Sequence, residues 1–254
     1  MIEKVSRRRM MASLGAGAGG LLLSGCDRIT RSAGFQSVQS SAQDLTMGMQ
    51  RLVIDRSALA REYDAADMSP VFRTNGNVMP ASAAYRAHAA SAFAGWRLVV
   101  DGLVERPLSL SLERIRRLPA RTQITRHDCV EGWSAIGKWT GLPLRLLLRG
   151  AGLRQQARYI VFHCADDFGG IPYYESIDLV DAMHPQTILA WAMNDNLLEV
   201  GHGAPLRLRV ERQLGYKHAK YVMRVEALAS LVGIGLGKGG YWEDRSGYQW
   251  YAGI

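Results

Sequence analysis

The chain has 254 residues, of which 48% are hydrophobic and 21% charged, with a formal net charge of +8. That length and apolar share support a real core, in one large domain or two small ones. The positive charge forms no block and no basic-aromatic array, which argues against nucleic acid and for an anionic ligand or an acidic partner face.

The first element is a targeting segment. "SRRRMM" (Ser6 to Met11) precedes "ASLGAGAGGLLLSGC", a basic head followed by a weakly apolar, small-residue stretch too short to span a membrane. The arginine pair resembles a twin-arginine signal, the route that exports folded proteins. "LSGC" (Leu23 to Cys26) resembles a lipobox, in which Cys26 is lipidated and anchors the chain at the inner membrane. Residues 1–25 are read as signal, 26–70 as a tether with an N-terminal extension, and 71–254 as the functional domain. The expected location is periplasmic.

Residues 27–46 are rich in Ser and Gln and lack periodicity, the composition of a tether. "MGMQRLVIDRSALAREYD" reads as helix and "FRTNGNVMP" as a loop. "GWRLVVDGLV" alternates and then turns at Asp101-Gly102, a hairpin signal. "SLSLERIRRLP" is a short helix, "RTQITRHDC" a strand running into a cysteine loop, and "LPLRLLLRGAG" a helix between Pro143 and its closing glycines. "RYIVFHCADD" is a buried strand, "SIDLVDAM" a helix, and "TILAWAM", "APLRLRVE" and "KYVMRVEAL" are strands. Strands outnumber helices without regular alternation, so the fold class is α+β.

Cys129 and Cys164 raise the functional question. A disulfide and a pair of buried thiols are the plain readings. Against them, both cysteines end strands at polar loops, and each has a histidine nearby, His127 and His163. Downstream, "GHGAPLRLRV" and "GYKHAKY" supply His202, Arg207, Lys217, His218 and Lys220. A thiolate is a soft metal ligand, and separated basic groups suit a phosphate. Together they point to a metal carried on a phosphorylated organic cofactor. Other motifs fail: "GLGKGG" lies too near the C-terminus for a dinucleotide unit, and His163, Cys164, Asp166 and Asp167 have no common zinc spacing.

"RHDCVEGWSAIGKWTGLPL", "YYESIDLVDAMHPQTILAWAMN", "HGAPLRLRVERQLGYKHAKYV" and "GYWED…GYQWYAG" resemble the sulfite oxidase family of molybdopterin oxidoreductases, over roughly residues 71–254. The likeness is greatest to its bacterial periplasmic branch, which includes methionine-sulfoxide reductase catalytic subunits. The resemblance implies a molybdopterin-binding fold with mixed sheets and short helices, with Mo-molybdopterin as cofactor. It implies two-electron oxygen-atom transfer, on a small molecule or a sulfoxide, and a separate electron carrier such as a membrane or soluble cytochrome. It makes Cys129 the molybdenum ligand and Asn75, Cys164, His202, Arg207, His218, Ala219 and Lys220 cofactor contacts. Tyr248 takes the place of an active-site tyrosine. Val130, Glu131, Gly132, Trp133 and Ser134 replace the arginine-bearing stretch that serves sulfite in the family, which argues against that anion. A non-catalytic binding or electron-relay lipoprotein with the same fold is the alternative.

Overall fold

The computed structural model describes residues 33–254. The expected signal and the lipidated Cys26 lie outside the described residues. Two compact units are cut between Val53 and Ile54. Within the first, one helix, α1, runs Ala33–Val53. Val38, Leu45, Met49 and Leu52 fall on one side of it and are exposed. The interleaved Ser and Gln hide that spacing in the sequence, where an aperiodic stretch up to residue 46 was expected. Among the described residues no helix is long and apolar enough to cross a membrane.

The second unit begins at Ile54, earlier than the boundary expected at 71. The reason is backbone pairing: Tyr63 N–H donates to Ile124 O at 2.9 Å and Ser69 N–H to Ile136 O at 3.0 Å. Helix α2 (Ala83–Ala90) follows, capped by Ser82.

Two sheets carry the rest. The first contains β1 (Arg97–Gly102), β2 (Leu108–Ser111), β5 (Tyr159–Phe168), β6 (Ile171–Asp178) and β10 (Val222–Leu228), in the order β2-β1-β10-β5-β6. Only β1 and β10 pair in parallel there. The second contains β3 (Arg121–Asp128), β4 (Ser134–Pro143), β7 (Ile188–Met193) and β8 (Asn196–Leu197) in that order, with β9 (Arg207–Arg209) also on β7. Short helices α3 (Leu112–Arg116), α4 (Leu144–Ala151) and α5 (Leu179–Ala182) follow directly on strand ends, and α6 (Tyr241–Ser246) lies against β6. The α+β class with mixed sheets and short helices is what the sequence led one to expect.

Alternation along β1 and unbroken buried runs in β5 and β7 build the core. Leu98 and Val100 of β1, Ile160 and Phe162 of β5, and Ile188 and Leu189 of β7 are fully buried with Trp96 and Trp139. The expected turn at Asp101-Gly102 is strand instead. Gly102 has φ +81, and a Cβ there would stand 2.3 Å from Ala227 O, so glycine lets β1 lie against β10. The strand expected over "APLRLRVE" shortens to three residues.

Candidate active site

Cys129 is set by a hairpin. Strands β3 and β4 pair from Arg121↔Gly141 to Asp128↔Ser134, leaving residues 129–133 as the connection. Cys129 N–H donates to Trp133 O at 2.9 Å and Gly132 N–H to Cys129 O at 3.0 Å, with Gly132 at φ +86. Asp128 ties both ends of this loop, accepting from Ser134 Oγ at 2.5 Å and from Arg126 Nε at 3.0 Å. The thiol is free, as is that of Cys164, so the disulfide reading falls.

A cavity of about 250 Å³ opens over Cys129. Its wall brings together Asn75, Cys129, Arg207, His218, Lys220 and Tyr248 from the sequence expectation. Asn75 Nδ2 donates to Cys129 Sγ at 3.0 Å. Tyr248 lies over Trp242, with ring centroids 5.9 Å apart, and edge-on to Tyr216 at 5.0 Å. Cys164, His202 and Ala219 are not in that wall. Ala219 is buried between His218 and Lys220, and its carbonyl accepts from Leu208 N–H at 2.8 Å. The His202 ring packs edge-on against Phe72 at 5.9 Å. Cys164 lines a second cavity instead.

The charges divide into two kinds. Arg207 and Arg209 flank Leu208, so both reach the same side and lie over Trp139, at 5.3 and 4.3 Å. Arg209 pairs with Glu211 and donates to His127 Nδ1 at 3.0 Å. An arginine only donates, so Nδ1 accepts and the His127 proton sits on Nε2. Burial, then the two arginines, holds His127 well below the usual imidazole range. His218 Nε2 faces the carbonyls of Val210 and Gln213, so its Nδ1 is the bare acceptor, and burial keeps this ring neutral too.

Arg207 and Lys220 are the other kind. Both are buried, and among the described residues neither is in an ion pair. Arg207 donates to His202 O at 3.2 Å, and Lys220 Nζ to Asn77 O and Gly201 O at 2.5 and 2.8 Å. Burial, with a neighbouring arginine adding to it, brings Arg207 down to about 9 and Lys220 to about 7. Lys217, grouped with them in the sequence, does otherwise: it is fully buried between Glu175 and Glu243 and is not in the cavity wall. Its charge is consumed by the fold, so it is no phosphate ligand.

Residues 86–231 match the family model described as the oxidoreductase molybdopterin binding domain. The chain belongs to that family of molybdopterin oxidoreductases. A putative protein-methionine-sulfoxide reductase subunit YedZ1 of Azospira oryzae is 44% identical over 160 residues, 63% of this chain and 56% of that protein. The protein-methionine-sulfoxide reductase catalytic subunit MsrP of Campylobacter jejuni is 34% identical over 143 residues, 52% of this chain and 48% of its own length. The chain spans about half the length of the curated relatives it matches. The sulfane dehydrogenase SoxCD of Paracoccus pantotrophus shares the fold, with a TM-score of 0.52 and 24% identity over 60% of this chain and 41% of that one.

The residues present fit molybdopterin. Two buried cations with no carboxylate at ion-pair distance call for an anion, because the fields of Asp166 at Lys220 and Glu211 at Arg207 do not make up for burial. Arg207 Nε and His218 Nδ1 are buried with no partner among the described residues. This donor and this acceptor, in one cavity wall, match a fused ring edged with N–H and C=O groups. Phe72, Arg209 and Tyr173 escaped sequence reasoning, and Asp166 was weighed there only as a zinc ligand. Phe72 touches the rings of His127, Trp133, Trp139 and His202, yet it stands in a polar loop sequence with no periodicity to mark it.

Proposed function

We propose that the chain is an exported, molybdopterin-dependent oxidoreductase that exchanges an oxygen atom with a small uncharged sulfur compound, a sulfoxide or thioether. The observation that carries this is Cys129 sharing one cavity with Arg207 and Lys220, buried cations that lack carboxylate partners. When bound, molybdopterin supplies a two-electron centre able to exchange oxygen with a sulfur lone pair.

The chain's own residues do the rest. Cys129 would hold the metal through sulfur. Burial, with the Glu131 carboxylate adding to it, pushes that thiol up, so the metal's own charge is what makes it a thiolate. Asn75 would orient the sulfur by its N–H bond. Arg207 and Lys220 would grip the anionic tail, and His218 would accept from the ring. His127 would stay neutral and present its Nε2 proton to the cavity. Val130 and Glu131 are exposed at the mouth. A carboxylate there disfavours an anion such as sulfite and leaves an uncharged sulfur compound as the better guest.

Electrons would pass one at a time to or from a separate carrier. The twin-arginine-like and lipobox-like stretches support export to the periplasm and an anchor at Cys26. Molybdenum and pterin content, measured on protein from a molybdenum-replete host, tests the assignment beside Cys129→Ser. One molybdenum per parent chain, with activity lost and the fold kept in the variant, is expected. Full activity in the variant would remove the ligand assignment. Dye donors and dye acceptors run in parallel give the direction.

A further inference from the structure

Asp166 of β5 is common to two cavities. It stands in the wall over Cys129 and in that of a second cavity, of about 360 Å³, which Tyr85, His88, Cys164 and Met223 also line. No other described residue is in both walls. The second cavity includes the exposed residues Ala84, Gly170 and Pro172, so it meets solvent away from Val130 and Glu131. Asp166 itself is 4% exposed. Its Oδ2 accepts from Asn77 Nδ2 at 3.2 Å, while Oδ1 is buried and has no partner. A buried carboxyl oxygen left without a partner costs stability, and packing alone gives no reason to keep it in the one residue that both cavities share.

We propose that Asp166 relays protons between the second cavity and the molybdopterin cavity. This rests on the oxygen-exchange reading above. Reduction of a sulfoxide consumes two electrons, supplied by the one-electron carrier, and two protons; the S–O bond breaks, and a thioether and water leave. The reverse takes oxygen from water and releases both protons. In either direction two protons must move while substrate fills the mouth at Val130 and Glu131. Asp166 gives them a separate way.

The surrounding groups suit that role. Burial dominates at Asp166 and raises its carboxyl to about 6. Asn77 and the Lys220 ammonium favour the carboxylate, and Asp167 opposes it. Around it, Tyr85, Tyr173 and Tyr221 and the Cys164 thiol are all held above their usual values and so neutral, and His88 shares the second cavity's wall. Both forms of Asp166 are therefore populated near neutral pH.

Asp166→Asn in the full-length holoenzyme tests the relay, since the amide keeps the shape and still accepts from Asn77. Molybdenum content and KM should match the parent, while kcat falls about tenfold or more. The inflection of kcat near pH 6 should vanish, and Asp166→Glu should restore part of the rate. Two measurements need no substrate. An infrared carboxyl band should titrate near pH 6 in the parent and be missing from Asp166→Asn. Proton uptake during dithionite reduction, followed with an indicator dye, should slow in the variant. Equal proton uptake in both proteins at equal molybdenum, or no such titrating band in the parent, overturns the relay. A parent that turns over no sulfoxide or thioether overturns the oxygen-exchange reading instead, and the proton-uptake comparison still decides on Asp166.

Discussion

Lys217 and Lys220 stand three positions apart and are indistinguishable as sequence, yet their surroundings give them opposite fates. Lys217 has two carboxylates, which outweigh burial and raise it above the usual lysine value. Lys220 has only carbonyl oxygens as acceptors, so burial lowers it to about 7. A lysine depressed in the folded state makes the fold bind fewer protons than the unfolded chain between about pH 7 and 10.5. Stability of the cofactor-free chain should therefore rise with pH across that window and be lost as pH falls through 7. Urea unfolding at several pH values should show this slope in the parent and its loss in Lys220→Met. On the proposed role of Lys220 at the cofactor's anionic tail, the same variant should retain less pterin.

The decisive element is the β3–β4 hairpin. β3 was legible because its buried and exposed residues alternate and it runs into the cysteine. β4 was not, because Gly137 and Gly141 interrupt its apolar pattern. Those glycines answer to neighbours that the linear pattern cannot display. A Cβ on Gly141 would lie 2.3 Å from Leu189 O, and one on Gly137 would press Phe72 at 3.2 Å. Between the strands, Asp128 holds the loop that aims Cys129. Asp128→Ala removes the acceptor for both Ser134 and Arg126 and should cost about 1–2 kcal/mol. Urea unfolding measures that loss, and the molybdenum-to-protein ratio should fall with it as the loop frays.

At the scale of the molecule, Lys217, Glu175 and Glu243 join the turn at Gly215–Lys217, strand β6 and helix α6. Helix α6 leads directly to Tyr248, so this buried cluster seats the C-terminal segment against the cavity. Glu175 is raised well above the usual carboxyl range, first by burial and then by Glu243. Lys217→Met would leave two buried carboxylates without a cation, a change expected to cost roughly 3–5 kcal/mol at neutral pH. Because the Glu175 carboxyl titrates above its unfolded value, the deficit should shrink on acidification toward pH 5. Chemical unfolding at pH 5 and pH 7.5 reads the difference, and Tyr248 fluorescence or hydrogen exchange in residues 241–254 reports the loosened segment.

The amino-acid order by itself determined the α+β class, most strands, the family and the residue types of the site. Periodicity, helix punctuation and the cysteine loop with its downstream basic groups are local patterns, and local patterns survive in one dimension. Only the tertiary structure decided which of those basic groups face the cavity. Lys217 turned inward to two carboxylates, His202 packed under Phe72, and Asp166 came to stand between two cavities. Each outcome depends on residues far apart in the chain meeting at one point, and burial there sets which charge is matched and which is left for a ligand.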